Sequence, residues 1–235
     1  MSVKAQEIFG KLVAINEKAI TAMRSSKMET AVHFLHQAIE ETEDQIDMSD
    51  AMDQDELMVE APQNFKVVGA IAPVLEGDEQ ETSSSFAICH KAMTMIQMPT
   101  NEHIESNLYD DLNLLHASLF FNLGLCHHLH GMATGKDVHF RESLLCYDTA
   151  MGTLGLIEQR TPYIMMLELA SLNNSAHIHH VYLERTSFHQ CLKLMKQSLC
   201  EITNEWTCPV PQQVSEFSHN LLMNSNHHTR PAPAA

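Results

Sequence analysis

Apolar side chains recur at helical spacing from the start of the chain. Ile8, Leu12, Ile15, Ala19 and Ala22 follow one face of a helix over about Val3 to Met23, and Ala31, Leu35, Ala38 and Ile39 mark a second helix beyond the Arg24-Ser25-Ser26 break. The period returns after Thr100. Leu108, Leu112, Leu115, Leu119, Leu123 and Cys126 predict a long helix to His130, punctuated by Gly131 and Gly135, with a partner from Asp137 to Leu154. Thr161 followed by Pro162 reads as an N-cap with proline in the first turn, opening a helix through about Leu183. Ser187 to Ile202 supplies its partner. Pro209 and Pro211 end the pattern, leaving a short last helix over Val214 to Met223 and a tail from Asn224 to Ala235 that is expected to be disordered.

The middle of the chain reads differently. Phe65 to Leu75 and Ser85 to Met98 are short apolar runs separated by the turn-like stretch Gly77 to Ser84, and they are able to pair as a β-hairpin. Alanine and methionine in the second run also suit a helix. The expected fold is therefore all-α, an array of about three antiparallel helical hairpins interrupted by an insertion. Its boundaries are a first helical hairpin over 1–41, an acidic loop with the β-hairpin candidate over 42–100, two further helical hairpins and a cap over 101–223, and the tail over 224–235.

Three helical hairpins in series call for a repeat test. Phe121-Asn122-Leu123-Gly124-Leu125-Cys126-His127-His128 lies over Asn173-Asn174-Ser175-Ala176-His177-Ile178-His179-His180, sharing N-x-small-x-apolar-H-H. In the partner helices Ser143, Tyr147 and Ala150 match Cys191, Met195 and Ser198, and Ala31, Leu35 and Ala38 fall at the same separations. This arrangement resembles the tetratricopeptide repeat, whose first helix carries a bulky residue, Leu-Gly and an aromatic, and whose second carries small, aromatic and small residues. Phe120, Leu123, Gly124, His127, Ser143, Tyr147 and Ala150 follow that order. The chain departs from the family in four ways: a longer turn between the two helices (GMATGKD), Ala19 and Ala176 where glycine is usual, no terminal proline, and the insertion between repeats.

The resemblance implies a function. In tetratricopeptide proteins one face of each first helix lines a concave surface that takes a peptide or partner helix. The register of Gly124 and Ala176 assigns Asn122, Leu125, His128, Asn174, His177 and His180 to that surface. An asparagine donates and accepts at once, which suits gripping a peptide backbone. Relatives that bind acidic C-terminal peptides clamp the carboxylate with lysine, asparagine and arginine. Here Asn122 has the expected type, while Asn16, Ile20, Ala170 and Asn174 stand at the other clamp positions, so a neutral or basic peptide is expected. Replacing Asn122 and Asn174 by alanine is expected to abolish partner capture with the fold intact.

Charge sharpens this picture. The 235 residues carry a formal charge of −16, and residues 40–81 hold nearly all of it, with Lys66 as the sole base, which disfavours nucleic acid as a partner. Glu40 to Glu60 has ten acids and no base, and reads as a mobile loop whose replacement should barely change stability. It lacks the glycine an EF-hand loop requires. No apolar run is long enough to span a membrane and no secretory leader or transit peptide is evident, so the expected place is the cytoplasm or nucleus. Six scattered cysteines without a CxxC pair read as reduced core thiols.

Catalytic signatures are missing from the sequence: no GxGxxG, no phosphate loop, no GxSxG and no HExxH. No cofactor is expected. The 16 histidines include the i, i+3 pairs His33/His36, His127/His130 and His177/His180, each with both imidazoles on one helix face. They define the alternative to a binding scaffold, a metal-binding helical bundle or metal-dependent hydrolase.

Overall fold

A computed structural model describes residues 3–50, 65–73, 88–99, 108–158, 160–205 and 212–225. The acidic stretch 51–64, the turn-like stretch within 74–87 and the tail beyond residue 225 lie outside the described residues. The fold is all-α with one small sheet, and the Cα trace divides into two compact units. The first comprises residues 1–76 and 90–164, the second residues 77–89 and 165–235.

In the first unit, α1 (Val3–Arg24) and α2 (Met28–Asp50) form a helical hairpin, and α3 (Leu108–Thr134) and α4 (Asp137–Leu154) form another. α2 also packs on α3, joining the two hairpins, and Phe9, Leu12, Leu35, Leu115, Leu119 and Tyr147 of this unit are all buried. The helical period persists further than the sequence reading allowed. α2 continues through the acids to Asp50: Ile39 and Thr42 are buried and Ile46 half-buried along one face, while Glu40, Asp44 and Asp47 stay exposed. Lys11 Nζ lies 2.7 Å from Glu41, whose carboxyl is held below its usual range by that hydrogen bond first and by Gln37 second. The first hairpin thus ends at residue 50, not 41. The residues GMATGKD are likewise not a long turn: α3 runs to Thr134, leaving Gly135 and Lys136 between the helices.

Two strands, β1 (Phe65–Pro73) and β2 (Lys91–Pro99), pair antiparallel with Ile71 opposite Met93. β2 rests on α1 and α3. Ala92 and Met93 are fully buried, and each large apolar side chain so enclosed contributes about 1.5–3 kcal/mol.

The second unit is built on α5 (Pro162–Val181), α6 (Arg185–Glu205) and α7 (Gln212–Ser225). Thr161 caps α5, its hydroxyl accepting the Ile164 N–H at 3.3 Å. α5 buries residues almost all round, from Met165 to Ile178. α6 contributes Phe188, Leu192, Met195 and Ile202, and α7 packs on α6 and buries Phe217.

Each helical hairpin turns on a single left-handed residue: Ser26 (φ 56°), Gly135 (φ 68°) and Leu183 (φ 58°). Glycine adopts that conformation without strain, a branched side chain at a cost of about 1–2 kcal/mol. Leu183 is 81% exposed, so its side chain returns little. Leu183→Gly should therefore stabilise the protein by about 0.5–1 kcal/mol, raising the melting temperature by roughly 1–4 °C. A lowered melting temperature would show that Leu183 holds the turn by contact.

Candidate functional site

The strongest convergence of polar groups in the first unit surrounds the backbone of Met93. The Asn122 carboxamide on α3 accepts the Met93 N–H at 2.7 Å and donates to the Met93 carbonyl at 2.7 Å. Its second amide hydrogen goes to Asn16 Oδ1 at 2.9 Å, and Asn16 Nδ2 on α1 donates to the same Met93 carbonyl at 3.0 Å. Both asparagines are fully buried. Carboxamides have the donor and acceptor spacing of a peptide group, so Asn122 treats β2 as a neighbouring strand would. One residue on, the Thr94 hydroxyl bonds the Glu17 carboxylate of α1.

The second unit repeats the device. Asn174 on α5 accepts the Cys89 N–H at 2.9 Å and donates to the Cys89 carbonyl at 3.2 Å. Asn173 Nδ2 donates to Asn174 Oδ1 at 3.3 Å, Asn220 Nδ2 to Asn173 Oδ1 at 2.7 Å, and Asn224 Nδ2 to the Asn220 carbonyl at 2.8 Å. Asn220 thus orients Asn173, and Asn173 orients Asn174, while the Asn224 bond closes on the α7 backbone. The sequence reading missed Asn220 and Asn224: it ends the last helix at Met223 and gives Asn224 to a disordered tail, whereas α7 runs to Ser225 and buries Asn224. Their N-x-x-x-N spacing, one helical turn, was the available signal.

The six residues assigned to the ligand surface separate into two sets. Asn122 grips the strand backbone of Met93, and Asn174 grips the backbone of Cys89, two residues before β2. Leu125 and His177 are buried within their units. His128 is a correction: six residues beyond Asn122, it lies about 240° further round the helix and turns to α4, its Nδ1 3.3 Å from the Tyr147 hydroxyl. The equivalent His180 turns to α6 and sits against Phe188, ring centroids 5.3 Å apart.

A glycine sets the α3–α4 packing behind Asn122. An added Cβ on Gly124 would lie 2.8 Å from the Tyr147 ring, and the Ser143 hydroxyl donates to the Gly124 carbonyl at 2.8 Å. The sequence pairing of Gly124, Ser143 and Tyr147 thus corresponds to direct contact.

One of the histidine pairs meets a third histidine. His127 and His130 both meet His139 of α4, His127 through Nδ1 atoms 3.4 Å apart and His130 through rings stacked at 4.1 Å. Burial, then the neighbouring imidazole, pushes the His127 pKa down, and His139 shifts the same way. Among the described residues no group of three or more His, Cys, Asp or Glu is placed to hold a metal ion. Burial also pushes the Cys126 and Cys146 thiols up to about 12, which makes both poor nucleophiles at neutral pH. No helix among the described residues is long and apolar enough to cross a membrane.

Comparison with protein-family models, curated proteins and solved structures finds no match to this chain. What stands is the architecture, helices packed in adjacent pairs as in a helical repeat, and two asparagines that each hold both backbone groups of one residue.

Proposed function

We propose that this chain is a non-enzymatic protein–protein interaction scaffold of the tetratricopeptide type, whose first helices hold extended backbone through asparagine carboxamides. It acts in the cytoplasm or nucleus on a neutral or basic peptide. The single observation that carries the reading is the two-point hold of Asn122 on the Met93 backbone. A carboxamide that satisfies both backbone groups of one residue recognises strand conformation rather than a side chain, which is the requirement for binding peptides as strands. The Gly124, Ser143 and Tyr147 contacts support the family likeness.

The test begins with capture from a native extract and continues to purified components. The captured partner is cut into short synthetic segments, and each is titrated against the full chain. A single segment should bind one-to-one and emerge chemically unchanged. The reading fails if no segment of any captured protein binds, or if the chain converts what it captures.

A further inference from the structure

Three imidazoles crowd the turn end of the α3–α4 pair. His127 and His130 stand on α3 and His139 on α4, all half-buried. The Nδ1 atoms of His127 and His139 lie 3.4 Å apart, and the His130 ring stacks on that of His139 with centroids 4.1 Å apart. None of these rings takes part in the hold on Met93.

The contact tolerates few protons. With both rings of the Nδ1 pair neutral, one Nδ1 carries a hydrogen and the other a lone pair, so the first donates to the second. A single added proton is still accommodated, because on Nε2 of the donor ring it strengthens that bond. With both rings protonated, every ring nitrogen carries a hydrogen, and two N–H groups and two positive charges meet at 3.4 Å. The stacked His130 ring adds a third charge when it is protonated.

The surroundings do not cancel this repulsion. Glu142 of α4 and Glu29 of α2 favour protonation of the pair, whereas His36 of α2 and Lys136 of the turn oppose it. Among the described residues α1 and β2 add no charge to these. Burial first, and the neighbouring cations second, hold both His127 and His139 below the ordinary histidine pKa of about 6.5.

We propose that His127 and His139, with His130 stacked on the second, form a pH latch that holds the turn ends of α3 and α4 together at neutral pH and releases them in acid. The unfolded chain takes up these protons from about pH 6.5 downward, and the folded pair takes up fewer. The latch therefore contributes its full stability above that pH and loses it as pH falls towards the lowered folded values. Release reaches the core through Phe140, the residue after His139. Its side chain is buried, and its ring lies where a Cβ on Gly131 would meet it at 3.2 Å. The latch stands or falls independently of the interaction-scaffold reading.

The experiment follows the histidine ring signals of the full chain by NMR from pH 8 to pH 5, assigned with His127→Gln and His139→Gln. The His127 and His139 rings should titrate as a coupled pair with both midpoints below about 6.5, and His127 should move back towards that value in His139→Gln. Amide exchange is measured in parallel and corrected for its intrinsic pH dependence. Between pH 7.5 and 5.5 it should quicken about tenfold or more at Gly131 to Thr134 and at Phe140 to Ser143, while Leu119 to Asn122 keep their rate. In His139→Gln that local quickening should shrink to about threefold or less. Should the variant fail to fold, the wild-type titration and exchange pattern decide alone.

Four results overturn the proposal. They are independent titration of the two rings at about 6.5, exchange at the turn end unchanged by acid, equal quickening in wild type and His139→Gln, and quickening that extends equally to Leu119 to Asn122.

Discussion

Asn122→Ala should lower stability by about 2–5 kcal/mol, because it strands two buried polar groups at once. The Met93 N–H loses its acceptor and Asn16 Oδ1 loses its donor, while the Met93 carbonyl keeps Asn16 Nδ2. All the groups lie in a site closed to solvent, so water does not replace the lost partner without reopening the packing. Exchange of the Met93 amide should rise at least tenfold relative to amides in the middle of α3. Asn122→Asp separates hydrogen bonding from shape. The carboxylate still accepts the Met93 N–H but faces the Met93 carbonyl and Asn16 Oδ1 with no proton to give. Burial raises the folded-state pKa of that carboxyl, so its destabilisation grows as pH rises from about 3.9 towards the raised value and fades below it. An Asn122→Ala protein that melts with the wild type, with Met93 exchange unchanged, would mean that the carboxamide is not holding the strand.

That expectation reverses the one drawn from sequence, in which alanine at Asn122 and Asn174 spared the fold. The type of residue was legible. Asparagine at equivalent positions of two aligned helices pointed to a backbone grip, and backbone is what both asparagines hold. The occupant was not, because nothing in a one-dimensional pattern says that a strand 29 residues before Asn122 lies against it. Helices were the easier part, since each buries a stripe whose period the sequence displays. Beyond residue 41 the run of acids obscures the apolar period in the sequence. Ile39, Thr42 and Ile46 carry α2 through the acids to Asp50, because a helix needs one apolar face and tolerates a uniformly charged opposite face in water. His128 was misplaced for a geometric reason. Residues six apart do not share a helix face, so the likeness of His128 and His180 reflects packing on their partner helices, against Tyr147 and Phe188.

Gly124→Ala should cost about 1–3 kcal/mol, and Gly124→Val more, although alanine is the better helix former by about 1 kcal/mol. Packing outweighs propensity here because of what the new methyl meets. Its position is 2.8 and 2.9 Å from two carbons of the Tyr147 ring and 3.1 Å from the Cys146 Cβ. The ring has little room to yield, for Tyr147 is fully buried, its centroid lies 5.6 Å from that of Phe121, and its hydroxyl meets His128 Nδ1. Relief must come from α3 and α4 moving apart, which stretches the 2.8 Å bond from Ser143 to the Gly124 carbonyl. The expected drop in melting temperature is roughly 2–12 °C. A double-mutant cycle with Tyr147→Leu identifies the cause. If the ring is the obstacle, Gly124→Ala should cost at least 1 kcal/mol less in the Tyr147→Leu background. Equal costs in the two backgrounds would remove the ring from the account. Glycine at this position would then owe its presence to something other than close approach of α3 and α4. Because Asn122 stands half a turn before Gly124 on the same helix, a displaced α3 should also loosen the hold on β2. Faster exchange at Met93 in Gly124→Ala is therefore expected, and it ties the packing of the helical pair to the strand that the pair supports.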